Sequence, residues 1–401
     1  MTVSDLLEKL VPPDDFDARP AVDALLGLAQ AQRASDLHLR PTQGKVEVLM
    51  RLDGVLCPRF EIPIEAYPRL LVGIKNAARL ASYKKAVPQD GRLTHGDVEM
   101  RVATVPTHFG EKVVVRLVAG VGLIPSVARL GFTAPELAAL ETMAFQPQGL
   151  VLATGPAGSG KTTTLLSVLR WLVDKHRQRY SAALNVVTLE DPVECVLPEL
   201  SQTAIQPELG MTFASGLRSL LRQDPEVILV GEIRDGETAG AVTQCSLTGH
   251  LVFSTLHTRD SVGVVPRMLE LGVEPYQLAA GLVGVIYQRL VRVLCPDCRY
   301  LVDPEVRLVS ECRAAGLSLS TVYGPGGCPA CNQTGYRGRT AVPELLSVDD
   351  TFRQLILERA SLRSLLERAR QQGTVPLRQA GLARVASGVT SYDELCRVVP
   401  G

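Results

Sequence analysis

The chain has 401 residues, enough for two or three domains with full cores. Apolar residues make up 46% and charged residues 21%, an ordinary balance for a globular protein. Its 42 Lys and Arg match its 42 Asp and Glu, and zero formal charge argues against a general nucleic-acid binder while leaving room for a local basic stripe.

The first residues, Met1-Thr2-Val3-Ser4-Asp5, lack the regions of a signal peptide. The tract 1–20, punctuated by Pro12, Pro13 and Pro20, reads as a helical turn and a tether. From 21 to 118 the pattern is mixed. Helices are expected at 21–33 and 66–81, and short alternating strands near 36–40, 45–51, 98–105 and 112–118, which make a small α+β domain. Residues 119–132 carry Gly120, Gly122, Pro125 and Gly131 and read as a hinge.

From 133 to 294 strands alternate with helices, which implies a parallel sheet. Four apolar runs, at 150–154, 186–189, 226–230 and 251–255, each end in polar residues. Ligands of open parallel sheets sit at the carboxyl ends of the strands, so these polar groups are candidates for one site. The apolar stretch 278–286 is too short to cross a bilayer, and the expected location is the cytosol. Residues 295–340 read as loop-rich with a cysteine cluster, and 341–401 as helices. There is no internal repeat or low-complexity tract.

The first run leads into Gly155-Pro156-Ala157-Gly158-Ser159-Gly160-Lys161-Thr162, with Thr163 next, and a helix-forming stretch follows. This is the strand–loop–helix setting of a phosphate-binding P-loop. Gly155, Gly158 and Gly160 let the backbone turn successive N–H groups toward phosphate oxygens, and the helix N-terminus adds its dipole. Lys161 reaches the β- and γ-phosphates, and the Thr162 hydroxyl can hold Mg²⁺. A nucleoside triphosphate is the expected ligand.

Hydrolysis needs acids to support Mg²⁺ and to orient or deprotonate water. After the second run comes Glu190-Asp191-Pro192-Val193-Glu194, and after the third Gly231-Glu232-Ile233-Arg234-Asp235. Gly231 stands where the Mg²⁺-supporting Asp is usual, and Glu232 follows it. Either Glu194 or Glu190 could position the water. His250 and His257 bracket the fourth run, a spacing that suits packing at strand ends as well as a site.

Cys295-Pro296-Asp297-Cys298 and Cys328-Pro329-Ala330-Cys331 form two matched Cys-x-x-Cys pairs. Two such knuckles can fill a tetrahedral Zn²⁺ shell, and with all four places taken by protein the metal is structural. The other five cysteines, Cys57, Cys195, Cys245, Cys312 and Cys396, read as packing residues.

Leu189-Glu190-Asp191-Pro192-Val193-Glu194, Leu221-Arg222-Gln223-Asp224-Pro225 with Val230-Gly231-Glu232-Ile233-Arg234-Asp235, and Leu247-Thr248-Gly249-His250 through Ser254-Thr255-Leu256-His257-Thr258 resemble the signatures of the secretion ATPases. These are the motors of type II secretion and type IV pilus assembly. The resemblance extends upstream through Ala34-Ser35-Asp36-Leu37-His38, Arg51-Leu52-Asp53-Gly54, Pro88-Gln89-Asp90-Gly91-Arg92 and Met100-Arg101-Val102-Ala103-Thr104, and downstream to Ser391-Tyr392-Asp393-Glu394-Leu395. It covers about nine-tenths of the chain.

The resemblance implies an α/β protein: a RecA-like P-loop NTPase core at 133–294, an N-terminal α+β domain of PAS-like kind at 21–118, a small zinc-binding insertion at 295–340 and a helical subdomain at 341–401. It implies ATP, Mg²⁺ and Zn²⁺ as cofactors. By resemblance Glu194 is the general base, Glu232 an atypical Walker B acid, and His250 with His257 the pair that senses the γ-phosphate. Arg92, Arg101 and Arg116 match arginines brought to the nucleotide, a role that suits planar guanidinium groups.

A homo-hexamer is expected, peripheral to the inner membrane through platform proteins, with no nucleic acid. The cysteine cluster is carried by assembly motors and generally lacking in retraction motors. The chain departs from the pattern at Arg40, where an acid is usual, and at Ala341. About 33 residues precede the first matching motif, whereas many assembly motors carry an extra N-terminal domain that docks on the platform. A RecA-like nucleic-acid motor would need aromatic and basic residues interleaved, and these are absent. A non-catalytic scaffold is disfavoured by the presence of Lys161, Thr162, Glu194 and Glu232 together.

Overall fold

The computed structural model describes residues 18–117, 124–319 and 321–399. Most of the tether at 1–20 and the first part of the hinge at 119–132 lie outside the described residues. The chain divides into two compact units between Leu123 and Ile124.

The first unit runs α1 (Ala18–Ala31), β1 (Asp36–Thr42), β2 (Lys45–Leu52), β3 (Val55–Pro63), α2 (Tyr67–Ala77), β4 (Gln89–His95), β5 (Val98–Thr107) and β6 (Gly110–Leu117). Its six strands form one antiparallel sheet in the order β3-β2-β1-β6-β5-β4. Strand alternation sends Leu37, Leu39, Met50, Val113 and Val115 to one face, where they pack with Leu25 and Leu70 of the helices. The strands at 55–63 and 89–95 escape a sequence reading for a physical reason. Both are sheet edges, where Pro58 in β3 and the polar run of β4 are tolerated because one side of the strand needs no ladder partner.

Lys75 on α2 is fully buried. Its Nζ pairs with the buried Glu111 carboxylate and donates to Lys84 O at 2.9 Å. Gln89 adds bonds to Ala81 N, Ala81 O and Lys84 O, so the loop between α2 and β4 is tied from both ends.

The second unit runs α3 (Ala134–Ala144), β7 (Gly149–Thr154), α4 (Lys161–Tyr180), β8 (Val186–Glu190), β9 (Ser201–Ala204), α5 (Phe213–Leu220), β10 (Val227–Val230), α6 (Gly236–Leu247), β11 (Leu251–Leu256), α7 (Val264–Glu270), α8 (Pro275–Gly281), β12 (Leu282–Leu294), β13 (Tyr300–Val302), α9 (Val306–Ala314), β14 (Val322–Gly324), β15 (Tyr336–Ser347), α10 (Asp350–Leu357), α11 (Leu362–Gln371), α12 (Leu377–Ala386) and α13 (Tyr392–Val398).

Seven strands make one sheet in the order β15-β12-β7-β11-β10-β8-β9. Every neighbour pair is parallel except β12–β15. β7, β8, β10 and β11 are buried along their whole length, as strands covered by helices on both faces must be. One core lies on each face, and a third lies under α12, α13 and the cysteine region.

One expectation needs correction. Residues 341–347 are strand rather than helix, because the 12-residue β15 pairs with β12 over most of its length. The apolar stretch 278–286 is split between α8 and β12. A short apolar run does not by itself distinguish a buried strand from a buried helix.

Removing one partner of a buried pair leaves an uncompensated charge. Lys75→Ala is therefore expected to destabilise the first unit by about 3–5 kcal/mol. Denaturant unfolding followed by a probe in that unit measures it, and a loss under about 1 kcal/mol would mean the loop is not anchored through Lys75.

Candidate nucleotide site

β7 delivers the chain into a loop that turns at Gly155 (φ 139) and Gly160 (φ 85), and α4 begins at Lys161. A Cβ on Gly155 would lie 2.6 Å from Gln288 O, so only glycine fits between β7 and β12 at that point. Lys161 Nζ folds back onto the loop and donates to Gly155 O at 2.9 Å and Pro156 O at 3.2 Å. Burial pushes its pKa down to about 8.

Beside the loop is a cleft of about 290 Å³. Lys161, Thr162, Glu190, Glu194, Glu232 and His257 line it, with Ala157 at its edge. The carboxyl ends of β8, β10 and β11 bring these groups together, as expected for an open parallel sheet. The structure thus unites the P-loop, both acids after β8, the acid after β10 and the second histidine. Ser159 lies buried behind the loop, and Thr163 sits in the first turn of α4.

The acids differ in setting. Glu190 is 3% exposed, and its Oε1 accepts from Thr188 Oγ1 at 2.7 Å and Gln202 Nε2 at 2.8 Å. Glu194 is exposed at the cleft. Glu232 pairs with Arg234, whose Nη1 lies 3.6 Å from Asp191. Gly231 has a steric reason: a Cβ there would meet Leu189 O at 3.1 Å and the Phe213 ring at 3.3 Å. The acid therefore sits one residue later.

His257 Nδ1 donates to Gly155 O at 3.1 Å, since a carbonyl can only accept. Its Nε2 faces Glu232 at 3.7 Å. Burial, and then the charge of Lys161, lower its pKa below the usual value. His250 is not brought to the cleft. It precedes β11 at the opposite end of the sheet, where its carbonyl accepts from Gly149 N at 3.0 Å and its Nδ1 approaches Cys245 O at 3.2 Å. Two histidines bracketing a six-residue strand, seven positions apart, stand about 23 Å apart at some 3.3 Å per residue.

Arg92, Arg101 and Arg116 belong to the first unit. Register places Arg92 opposite Arg101 and Arg101 opposite Arg116 on the sheet face away from the core. Like charges in such a row repel. Asp36 offsets part of this at 2.9 Å from Arg116 Nε and 3.4 Å from Arg51 Nε, and Glu99 lies 3.2 Å from Arg92. Although burial opposes it, bonds from Arg116 and Ser35 hold the Asp36 carboxyl below its ordinary pKa. Arg101 Nε is buried with no partner. The three arginines border a depression of about 580 Å³, a setting made for an anion.

The four motif cysteines converge. Cys295–Cys328 and Cys298–Cys331 are 3.8 Å apart at sulfur and Cys328–Cys331 3.7 Å, with all four sulfurs within 4.8 Å. A tetrahedral shell with Zn–S of about 2.3 Å has edges of about 3.8 Å, so the donor set fits zinc. Burial opposes ionisation of Cys331, but the N–H groups of Cys328 and Gly335, at 3.3 and 3.2 Å, bring its pKa down to about 6.

Sequence reading did not single out Arg234 or Asp191, although both sit inside the motif stretches and their nearness to Glu232 and Glu190 was a usable signal. It also missed Glu344 on β15, a buried carboxylate that accepts from Ser261 N at 3.0 Å, Ser261 Oγ at 2.6 Å and Leu377 N at 3.0 Å. Glu344 lies far from any motif, and only pairing of β15 brings it to the loop after β11.

A family model described as "Type II/IV secretion system protein" matches residues 14–397. The chain belongs to that family. It is 42% identical over 394 residues to the type II secretion system protein E of Dickeya dadantii, a match that covers 96% of this chain and 76% of that protein. It is also 42% identical over 388 residues to the type IV pilus assembly ATPase TfpB of Acinetobacter baylyi, covering 94% of this chain and 65% of that one. Among solved structures, the ATPase DotB of Legionella pneumophila has a similar fold, with TM-score 0.68 and 21% identity over 96% of each chain. Family membership and the complete P-loop together make this secretion-family protein an ATPase.

The lowered Lys161 pKa gives binding a pH signature. Phosphate favours charged Lys161 and raises its pKa again, so above about pH 8 binding must take up a proton and affinity falls as pH rises. Calorimetry of ADP binding in buffers of differing ionisation heat is expected to show uptake near zero at about pH 7 and approaching one proton per site at about pH 9. Uptake that stays at zero across this range would mean that Lys161 is already fully charged before nucleotide binds or lies outside the phosphate site.

Proposed function

We propose that this ATPase drives assembly of a pseudopilus or pilus, as a homo-hexamer at the cytoplasmic face of the inner membrane, bound there through platform proteins. The observation that carries the reading is the single cleft where a complete P-loop meets Glu190, Glu194 and Glu232. It occurs in a chain whose relatives at 42% identity are named for type II secretion and type IV pilus assembly. The core is read as RecA-like, since the P-loop strand β7 and the acid-bearing β10 are separated by one strand. The first unit is read as PAS-like on its antiparallel sheet, and 119–132 as the hinge between domains.

Each residue has a role in this reading. The loop amides, Lys161 and the α4 N-terminus hold the phosphates. Mg²⁺, held by Thr162 with Glu232 in support, would supply charge neutralisation at the β- and γ-phosphates. Glu194 is the general base, since it is exposed to the cleft while Glu190 is tied to Thr188 and Gln202. His257 reports nucleotide state to the Gly155 turn. Arg92, Arg101 and Arg116 are assigned the role of meeting developing phosphate charge. Zn²⁺ on Cys295, Cys298, Cys328 and Cys331 is structural, and this cluster counts against a retraction motor. Zero net charge counts against a nucleic-acid motor. Among the described residues no helix is long and apolar enough to cross a membrane.

Glu194→Gln keeps the shape and loses the base. It is expected to bind ATP normally and to lower turnover by about 10²-fold or more, with Glu190→Gln less affected. Steady-state ATPase assays decide it, and the reverse ranking would move the base to Glu190. Ring formation predicts that specific activity rises with protein concentration in step with mass by light scattering. Full activity in a monomeric species would remove ring coupling.

A further inference from the structure

The curl that turns P-loop N–H groups inward turns carbonyls outward, and an outward carbonyl buried against the sheet cannot reach water. Ser159 is such a residue, 3% exposed and packed behind the phosphate cradle. Its carbonyl accepts from Gln288 Nε2 at 2.8 Å. Gln288 is a fully buried polar side chain on β12. Its neighbour Tyr287 is paired with Thr154, the last residue of β7, so Gln288 stands where the P-loop leaves the sheet. The backbone of Gln288 also abuts the loop, with its carbonyl 2.6 Å from an ideal Cβ on Gly155. Because Ser159 O only accepts, the amide orientation is fixed. Gln288 Oε1 is buried without a partner, as is Ser159 Oγ, so the side chain is held in place by its single donor bond to the loop.

We propose that Gln288 is a positioning residue for the ATPase reaction. Its amide clamps the last turn of the P-loop, from Ser159 to Lys161, in the phosphate-binding shape, and it does so from a strand that continues directly into Cys295. The chemistry requires a neutral donor of this length. Methionine fills the space without a donor, asparagine keeps the amide but falls one methylene short, and glutamate would set a carboxylate against a carbonyl.

The inference rests on the reading of the cleft as a nucleotide site. The test is Gln288→Met in the full chain, with ADP affinity by calorimetry, KM and kcat for ATP, and thermal stability without nucleotide. The expected result is ADP affinity weakened about tenfold and KM raised in parallel, with kcat less affected and nucleotide-free Tm within a few degrees of wild type. Hydrogen exchange should quicken in the peptide spanning 155–165 and not across the core. If Gln288→Met does not fold, Gln288→Asn gives the same comparison. Wild-type ADP affinity and KM in a folded variant would overturn the clamp. Exchange raised evenly over the whole unit would also overturn it, by reducing Gln288 to packing. Failure of the wild-type protein itself to bind ADP would instead overturn the nucleotide-site reading.

Discussion

Every group in the cleft is placed by four parallel strands whose ladders share one register. Gly149 is level with Leu251, Leu251 with Val227, and Val227 with Val186. Strands aligned at their start and of similar length finish at one level. The residues at or just after their ends, Gly155, Glu190, Glu232 and His257, are then brought together, and His257 bonds to Gly155 O and faces Glu232. Hydrogen bonds of the ladders and full burial on both faces fix the level to within one residue, because a slip would move apolar side chains out of the core. The same constraint sends His250 to the far end, since it begins the strand that His257 finishes.

Three charged groups of the cleft already have partners before any ligand enters. Lys161 is turned onto loop carbonyls, Glu232 is paired with Arg234, and Arg234 reaches toward Asp191. Anionic phosphates compete for Lys161, and a divalent cation competes for Glu232, so ligand entry must break existing pairs. Affinity is then a difference between two sets of charged contacts, which makes it sensitive to pH and salt.

The long antiparallel β12–β15 pair joins this cleft to the rest of the second unit. Gln288 holds the P-loop and Glu344 holds the loop after β11. Further along β12, Arg292 stacks on Tyr336 and donates to Glu394, a fully buried side chain that also binds Arg397. Although burial opposes it, these arginine bonds hold Glu394 below the ordinary carboxylate pKa, so the charge is retained inside the fold. Arg299 stacks on Tyr323 and donates to Gly388 O, fastening the cysteine region to α12. The four sulfurs thus sit at the end of a rigid strand rather than on a free loop.

The sequence by itself determined what depends on local chemistry. The glycine spacing before Lys161 and Thr162, the acids after two apolar runs and the matched cysteine pairs are each set by atoms within a few residues, so their patterns are readable in one dimension. Buried strands were legible at 150–154, 186–189, 226–230 and 251–255 because uninterrupted apolar runs between polar ends have few other uses. Tertiary structure decided whatever depends on which strands become neighbours. Edge strands β3 and β4 carry proline and polar residues that only a one-sided position permits. Residues 341–347 of β15 read as helix in the sequence because their partner β12 lies over forty positions away, and pairing rather than propensity makes them strand. His250 could be separated from His257 only once β11 had a direction. Gln288 and Glu344 carry no motif at all, and their meaning comes from the loops that long-range pairing lays against them.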